Sequence, residues 1–226
     1  MTSMKLHYKT VSPVLLDCLH RLMAHPAFKN FYLVGGTSLA LQRGHRLSID
    51  IDLFTGVPYG EMNTDEIETA LLEMFPYTDR ISELHNTQMV YSLYIGDSKE
   101  ECIKLDLCYD DALIFPLIEV DGLRIASEKE IAAMKIQAIT QTEQRRKDFW
   151  DIHELLEDYT LSEMVGWGIQ RYPWSVTHES VKDAFARLPM MNDHTEVVCL
   201  KGNYWEFIVE DLVDEANAIP EILLLL

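Results

Sequence analysis

Leu33-Val34-Gly35-Gly36-Thr37-Ser38-Leu39-Ala40-Leu41-Gln42-Arg43-Gly44-His45-Arg46-Leu47-Ser48-Ile49-Asp50-Ile51-Asp52-Leu53-Phe54 is the stretch on which the reading of this chain turns. Its left end closes a short apolar run, Phe31 to Val34, which reads as a strand stopping at paired glycines. Thr37 to Gln42 then reads as a short helix. From Ser48 to Phe54 the residues alternate, with Ile49, Ile51 and Leu53 on one face and Asp50 and Asp52 on the other, as a half-buried strand requires.

Two aspartates at even spacing on a strand point the same way. Aspartate is disfavoured in strands, and like charges on one face repel. The plain reading is a half-exposed sheet; the sharper one is a binding site. Asp106, in Lys104-Leu105-Asp106-Leu107-Cys108, repeats the pattern on what reads as a second strand. If the two strands are neighbours, three carboxylates converge. Such an oxygen-rich set suits Mg²⁺ (or Mn²⁺), which takes phosphate oxygens as further ligands. Two such ions about 3.5–4 Å apart serve in-line displacement at phosphorus.

The glycine turn adds to this. Gly35-Gly36-Thr37-Ser38 follows a strand and opens a helix, so its backbone is free to approach a phosphate closely. Thr37 or Ser38 could add a hydroxyl. Arg43, His45 and Arg46 form a basic cluster between turn and strand, suited to triphosphate, to a polynucleotide backbone, or simply to solvent. Ser48 shares the parity of Asp50 and could lie in the site.

Outward from this stretch, Ser12-Pro13 starts a helix that runs to Ala24, serine as cap and proline in the first turn. Thr64 to Phe75 is an acidic amphipathic helix. Thr87 to Ile95 and Ile103 to Cys108 read as strands, and Leu117 to Ile125 as a hairpin about Asp121-Gly122. From Ser127 the pattern changes. Ser127-Glu128-Lys129-Glu130 is a capping-box sequence, and helices are expected at 127–141, 144–158, 161–171, 177–187 and 204–217. The division is therefore a mixed α/β part, 1–126, and a helical part, 127–226.

Composition narrows the class. The chain has 226 residues, 48% of them apolar, enough for a sizeable core. No long uninterrupted apolar run suggests a membrane span, and the start lacks a secretion-signal layout. Four scattered cysteines, Cys18, Cys102, Cys108 and Cys199, without a C-x-x-C, point to a reduced cytoplasmic protein with thiols as small apolar filler. The net charge is −18. Residues 151–226 carry 15 acids against 4 bases, residues 1–150 22 against 15. Such a field repels nucleic acid at long range. A nucleic-acid substrate would need a local basic patch, and the acidic half is either a docking surface for a basic partner or a solubilising one.

Taken together, Leu33 to Phe54 resembles the AbiEii/AbiGii toxin family of the polymerase-β-like nucleotidyltransferase superfamily. A second block agrees: Ser127-Glu-Lys-Glu-Ile-Ala-Ala-Met-Lys135, then Arg146-Lys-Asp-Phe-Trp-Asp-Ile-His-Glu-Leu-Leu156. The resemblance covers residues 30 to 160. It implies an α+β fold, a polymerase-β-like mixed sheet with flanking helices, followed by a helical C-terminal part. It implies that Gly36, Thr37 and Ser38 bind nucleotide phosphates, that Asp50 and Asp52 hold metal, and that Asp106 is the third carboxylate. Lys135 and Asp148 match the family's helical-domain motif. It further implies a nucleoside triphosphate as substrate, an acceptor such as tRNA, and an antitoxin encoded nearby.

The helical block reads independently. On a wheel Lys135 falls among Ile131, Ala138 and Ile139, while Asp148 and Asp151 share a stripe with Ile152 and Leu155. Charges on an apolar stripe are costly unless paired or facing a polar cavity. Two arrangements satisfy that: Lys135 over a nucleotide cleft and oriented by an aspartate, or a Lys–Asp bridge between packed helices. Arg145-Arg146-Lys147 could grip phosphate or be a solvated helix start. His153 shows no metal-ligand spacing, and Phe149 and Trp150 read as packing. Three functions stand: nucleotide transfer to RNA, the same transfer to a small cationic (aminoglycoside-like) molecule or a protein, and a non-catalytic acidic binding module.

Overall fold

Where each strand and helix starts follows from short local signals. In the computed structural model, which describes residues 4–81 and 89–219, the first helix α1 spans Pro13–Ala24, with the Ser12 hydroxyl accepting from the Leu15 N–H and Pro13 in the first turn. Its Leu15, Leu19 and Leu22 are fully buried, each worth about 1.5–3 kcal/mol of transfer free energy. They lie against the apolar face of a sheet.

Seven strands build that sheet: β1 Phe31–Leu33, β2 Asp50–Thr55, β3 Tyr77–Arg80, β4 Val90–Gly96, β5 Cys102–Tyr109, β6 Ile118–Val120 and β7 Leu123–Ile125. Their order is β3-β4-β5-β2-β1-β7-β6. β2 pairs antiparallel with β1 and parallel with β5, so the sheet is mixed. The core joins Leu33, Ile51, Leu53, Leu93, Leu105 and Leu107 of the sheet with α1 and with Ile67, Ala70 and Leu71 of helix α3, Thr64–Met74. Helix α2, Gly35–Arg43, is pinned at its buried side by Gln42, whose Nε2 donates to the Ala126 carbonyl at 3.0 Å. The turn between β6 and β7 has Asp121 and Gly122 both at positive φ, 51° and 78°, the requirement of a tight two-residue hairpin.

Several boundaries differ from the sequence reading. Ile49 lies outside β2 and is 75% exposed; the sequence reading starts the strand two residues early, at Ser48 rather than Asp50, and only Ile51 and Leu53 reach the core. α2 starts at the glycines themselves rather than at Thr37. The edge strand β3 carries no apolar alternation (Tyr77-Thr78-Asp79-Arg80) and was not anticipated. Thr87 and Gln88, expected to begin β4, lie outside the described residues, as do Met1 to Ser3 and residues 220–226.

The chain divides into two compact units, 1–126 and 127–226. The second is helical: α4 Glu128–Thr140, α5 Arg146–Leu155, α6 Leu161–Arg171, α7 His178–Arg187 and α8 Trp205–Ala218. α4 packs against α5, α6 and α7, and α8 against α5 and α7. Ser127 caps α4, accepting from the Glu130 N–H. The reciprocal half of the expected capping box is not made. Glu130 instead pairs at 2.6 Å with Arg171 of α6, both side chains fully buried. Phe149 and Trp150 pack as expected; Trp150 stacks on Trp205 at an interplanar angle of 13°. Among the described residues, no helix is long and apolar enough to cross a membrane. All four cysteines are free thiols. Burial pushes the Cys18 thiol up to about 11 and raises that of Cys108 further, so both behave as apolar filler.

Candidate active site

Register decides what the strand aspartates do. Parallel pairing of β2 with β5 sets Asp52 against Asp106 and Asp50 against Lys104. Antiparallel pairing of β5 with β4 sets Ser92 against Asp106. Side chains directly opposite on neighbouring strands have Cβ atoms about 4.5–5.5 Å apart. Asp50, Asp52, Lys104, Asp106 and Ser92 therefore share one polar face, while Ile51, Leu53, Leu93, Leu105 and Leu107 face the core from the other side.

The glycine turn abuts this face. Gly35 has φ +68°, and a Cβ there would come within 2.6 Å of Asp52 Oδ2. A Cβ at Gly36 would run into the Arg46 guanidinium. Both glycines are needed for close approach, and a carboxylate and a cation fill the space they leave. The Val34 N–H donates to the Asp52 carbonyl at 3.0 Å, tying turn to strand. As N-cap residue Val34 offers no side-chain oxygen, and no side chain caps α2. The first-turn N–H donors of a helix have no intrahelical acceptor, so those of α2 start beside the carboxylates.

The hydroxyls of the turn face inward. Thr37 is 1% exposed, and its Oγ1 donates to the Asp50 carbonyl at 2.5 Å. With that proton spent, Ser48 Oγ, 2.7 Å away, is the donor to Thr37. Ser38 is fully buried, 3.4 Å from the Ala126 carbonyl. These side chains fix the turn on the strand, and what they offer a phosphate is backbone N–H. Arg46 is itself 4% exposed and donates to the Leu47 carbonyl at 3.0 Å.

Asp106 is the most engaged carboxylate. Ser92 Oγ donates to its Oδ1 at 2.5 Å, and Lys104 Nζ sits 2.6 Å from its Oδ2. Burial works to lower the Lys104 pKa, but the Asp106 hydrogen bond and the charges of Asp106, Asp50 and Asp52 outweigh it and leave it raised. Sequence reasoning missed Lys104 and Ser92. The parity that selected Asp106 also selects Lys104, two residues earlier; Ser92 becomes visible only with the register. In kind, the donors fit a small hard cation: all are oxygens, two lie in register, and the face already holds one cation, the Lys104 ammonium. As they stand, no three His, Cys, Asp or Glu side chains among the described residues converge closely enough to enclose a metal.

The helical unit holds the other residues singled out from sequence. Lys135, 5% exposed, places Nζ 2.6 Å from Asp148 Oδ1 and 2.7 Å from Asp151 Oδ2. Arg145 Nε lies 2.8 Å from Asp148 Oδ2. Desolvation pushes Asp148 up, yet the charges of Lys135 and Arg145 and the Lys135 hydrogen bond prevail, holding it below the usual carboxylate range. The geometry is that of a Lys–Asp clasp between α4 and α5, a contact common to both arrangements open from sequence. Arg146 lies over the Trp205 ring at 4.9 Å and its N–H donates to Asp193. His153 pairs with Asp211 at 2.9 Å.

Comparison with known proteins adds an independent line. The family model for the nucleotidyl transferase AbiEii toxin of type IV TA systems matches residues 17–187. An uncharacterized protein of Aquifex aeolicus (strain VF5) is 29% identical over 167 residues, 68% of each chain. Among solved structures, JHP933 from Helicobacter pylori superposes with a TM-score of 0.60 at 20% identity, covering 93% of this chain and 90% of that one. A second H. pylori structure, a provisionally named nucleotidyltransferase, gives 0.61 at 18% identity and 93% of both chains. At these identities the structural likeness is one of fold.

Proposed function

Because the chain belongs to the AbiEii family of nucleotidyltransferase toxins of type IV toxin–antitoxin systems, we propose that it moves a nucleotide from a nucleoside triphosphate to a hydroxyl on RNA, tRNA being the favoured class. The observation that carries this is the Asp52–Asp106 register beside a glycine turn pressed against Asp52. The N–H groups of Gly35, Gly36 and Thr37, at an uncapped helix start, serve the triphosphate as fixed donors. Arg46, packed on Gly36, adds positive charge at the same place. Asp50, Asp52 and Asp106 would hold Mg²⁺ or Mn²⁺, which when bound supplies charge neutralisation on the phosphates and a sharper acceptor hydroxyl. The protein's own share is positioning and preset electrostatics, held by the Thr37–Asp50 and Val34–Asp52 bonds. Parts for Lys135 and Asp148 in the reaction rest on the family motif; their clasp supports them as positioning residues acting through the helical unit's packing. The protein acts in the cytoplasm, countered by an antitoxin encoded nearby.

The −18 charge favours a second acceptor, a small cationic molecule drawn by the protein's field. One experiment separates the readings: incubation with labelled nucleoside triphosphates, Mg²⁺ or Mn²⁺, total RNA and an aminoglycoside. Label in RNA, lost by more than the roughly 10–100-fold typical of a supporting residue in Asp50→Ala and Asp52→Ala, supports the proposal. Label in the small molecule supports the second reading. Unchanged transfer in both variants defeats the site, and no magnesium-dependent nucleotide binding at all returns the chain to an acidic docking module.

A further inference from the structure

Lys104 lies on the carboxylate face itself. It faces Asp50 across the β2–β5 pair and shares a face with Asp106 two residues on. Its ammonium is 2.6 Å from Asp106 Oδ2, while the other oxygen of that carboxylate accepts from Ser92. The oxygen that would be lent to a metal is thus already neutralised by a charge from the same strand. We propose that Lys104 is the resident counter-ion of Asp106, and that a divalent cation binds the carboxylate face by displacing its ammonium from that carboxylate. This rests on the metal reading of the face given above.

Two observations carry the inference. First, an ammonium and a divalent ion on one carboxylate repel twice as strongly as two unit charges would, so the two compete for Asp106. Second, the Lys104 side chain is 34% exposed and Asp106 17%. Lysine is a strongly hydrated charge on a flexible stem, so its displaced head has water to move into, whereas Asp106 stays in place. Before displacement the lysine relieves repulsion among Asp50, Asp52 and Asp106. Lys104 is a positioning residue in this scheme, since it acts through Asp106.

The test is Mn²⁺ binding to the full chain without nucleotide, by calorimetry and by electron paramagnetic resonance of free Mn²⁺, for wild type, Lys104→Met, Lys104→Arg and Asp52→Asn. Lys104→Met should bind at least tenfold more tightly than wild type. Lys104→Arg, which restores a cation, should return to within threefold of wild type. Asp52→Asn should abolish binding. A melting curve run with each variant supplies a second readout: without metal Lys104→Met melts below wild type, and saturating Mn²⁺ raises its melting point more than it raises that of wild type. Equal or weaker Mn²⁺ binding by Lys104→Met overturns the proposal alone. No Mn²⁺ binding by wild type or by either lysine variant overturns the metal reading and this proposal with it.

Discussion

Replacing Lys135 by methionine separates a lysine that holds the helical unit together from one that serves only the reaction. The substitution keeps the length of the stem and removes the charge. It leaves Asp148 and Asp151, 1% and 0% exposed, without the lysine that both pair with, while Arg145, 56% exposed, still pairs with Asp148. Removing one partner of a buried ion pair costs about 3–5 kcal/mol, because the orphaned charge keeps its desolvation penalty. At roughly 2–4 °C per kcal/mol for a chain of this length, melting at pH 7 should fall by about 6–20 °C. The pH dependence carries a sign. In wild type Asp148 is held below its ordinary value, so its stabilising share is present above about pH 3.9 and is lost as pH falls through the lowered value. In the variant a buried carboxyl without its lysine favours the protonated form, so its penalty is fully felt at neutral pH and eases as pH falls towards about 4. The gap between the two melting curves, followed by circular dichroism from pH 7 to pH 4, should therefore narrow with acid. Adding Asp148→Leu and Asp151→Leu to Lys135→Met should recover most of the loss, since an apolar replacement of a whole buried pair is often neutral. A melting point within about 2 °C of wild type, together with lost nucleotide transfer, would refute this reasoning and give the lysine to the reaction.

Two further substitutions probe the first unit. Gly35→Ala puts a side chain at φ +68° and a Cβ 2.6 Å from Asp52 Oδ2; the backbone term alone costs about 1–2 kcal/mol, but a displaced carboxylate should lower transfer by about a hundredfold, so a melting loss without a rate loss in the labelling assay would contradict the contact. Arg124 donates to the carbonyls of Phe31, Met23 and Phe28 at 2.9–3.1 Å. Arg124→Ala leaves all three without that donor and should destabilise by about 2–4 kcal/mol at the level of charged hydrogen bonds, measured by urea unfolding, while Lys104–Asp106 and the carboxylate face stay intact.

The parts of this fold legible in the sequence are those where one residue type answers to one local demand. Ser12-Pro13 could hardly do other than start a helix, and Asp121-Gly122, both at positive φ, could hardly do other than turn. The same holds for Asp50 and Asp52: parity alone puts them on one face. Parity cannot say which strand lies beside β2, and that is why Ser92 was invisible and Lys104 was passed over. Each becomes part of the face through pairing between residues distant in the chain. Buried charge is hidden for a related reason. Glu130 satisfies a capping pattern with Ser127, and the local rule predicts its side chain at the helix start; Arg171, 41 positions later, outbids that bond because a fully buried guanidinium with no carboxylate would cost far more than one unreciprocated cap. The helical wheel did find Lys135, Asp148 and Asp151 on apolar stripes, since a misplaced charge is a local fact. Whether such a charge is kept for a partner inside the protein or for a substrate depends on how many opposite charges the fold brings to it. Lys135 meets two fully buried carboxylates in its own unit, and Asp106 meets the part-exposed ammonium of Lys104. The clasp of the helical unit is thus closed off from water on both sides, whereas the Lys104–Asp106 pair stands part-exposed, where a ligand can reach it.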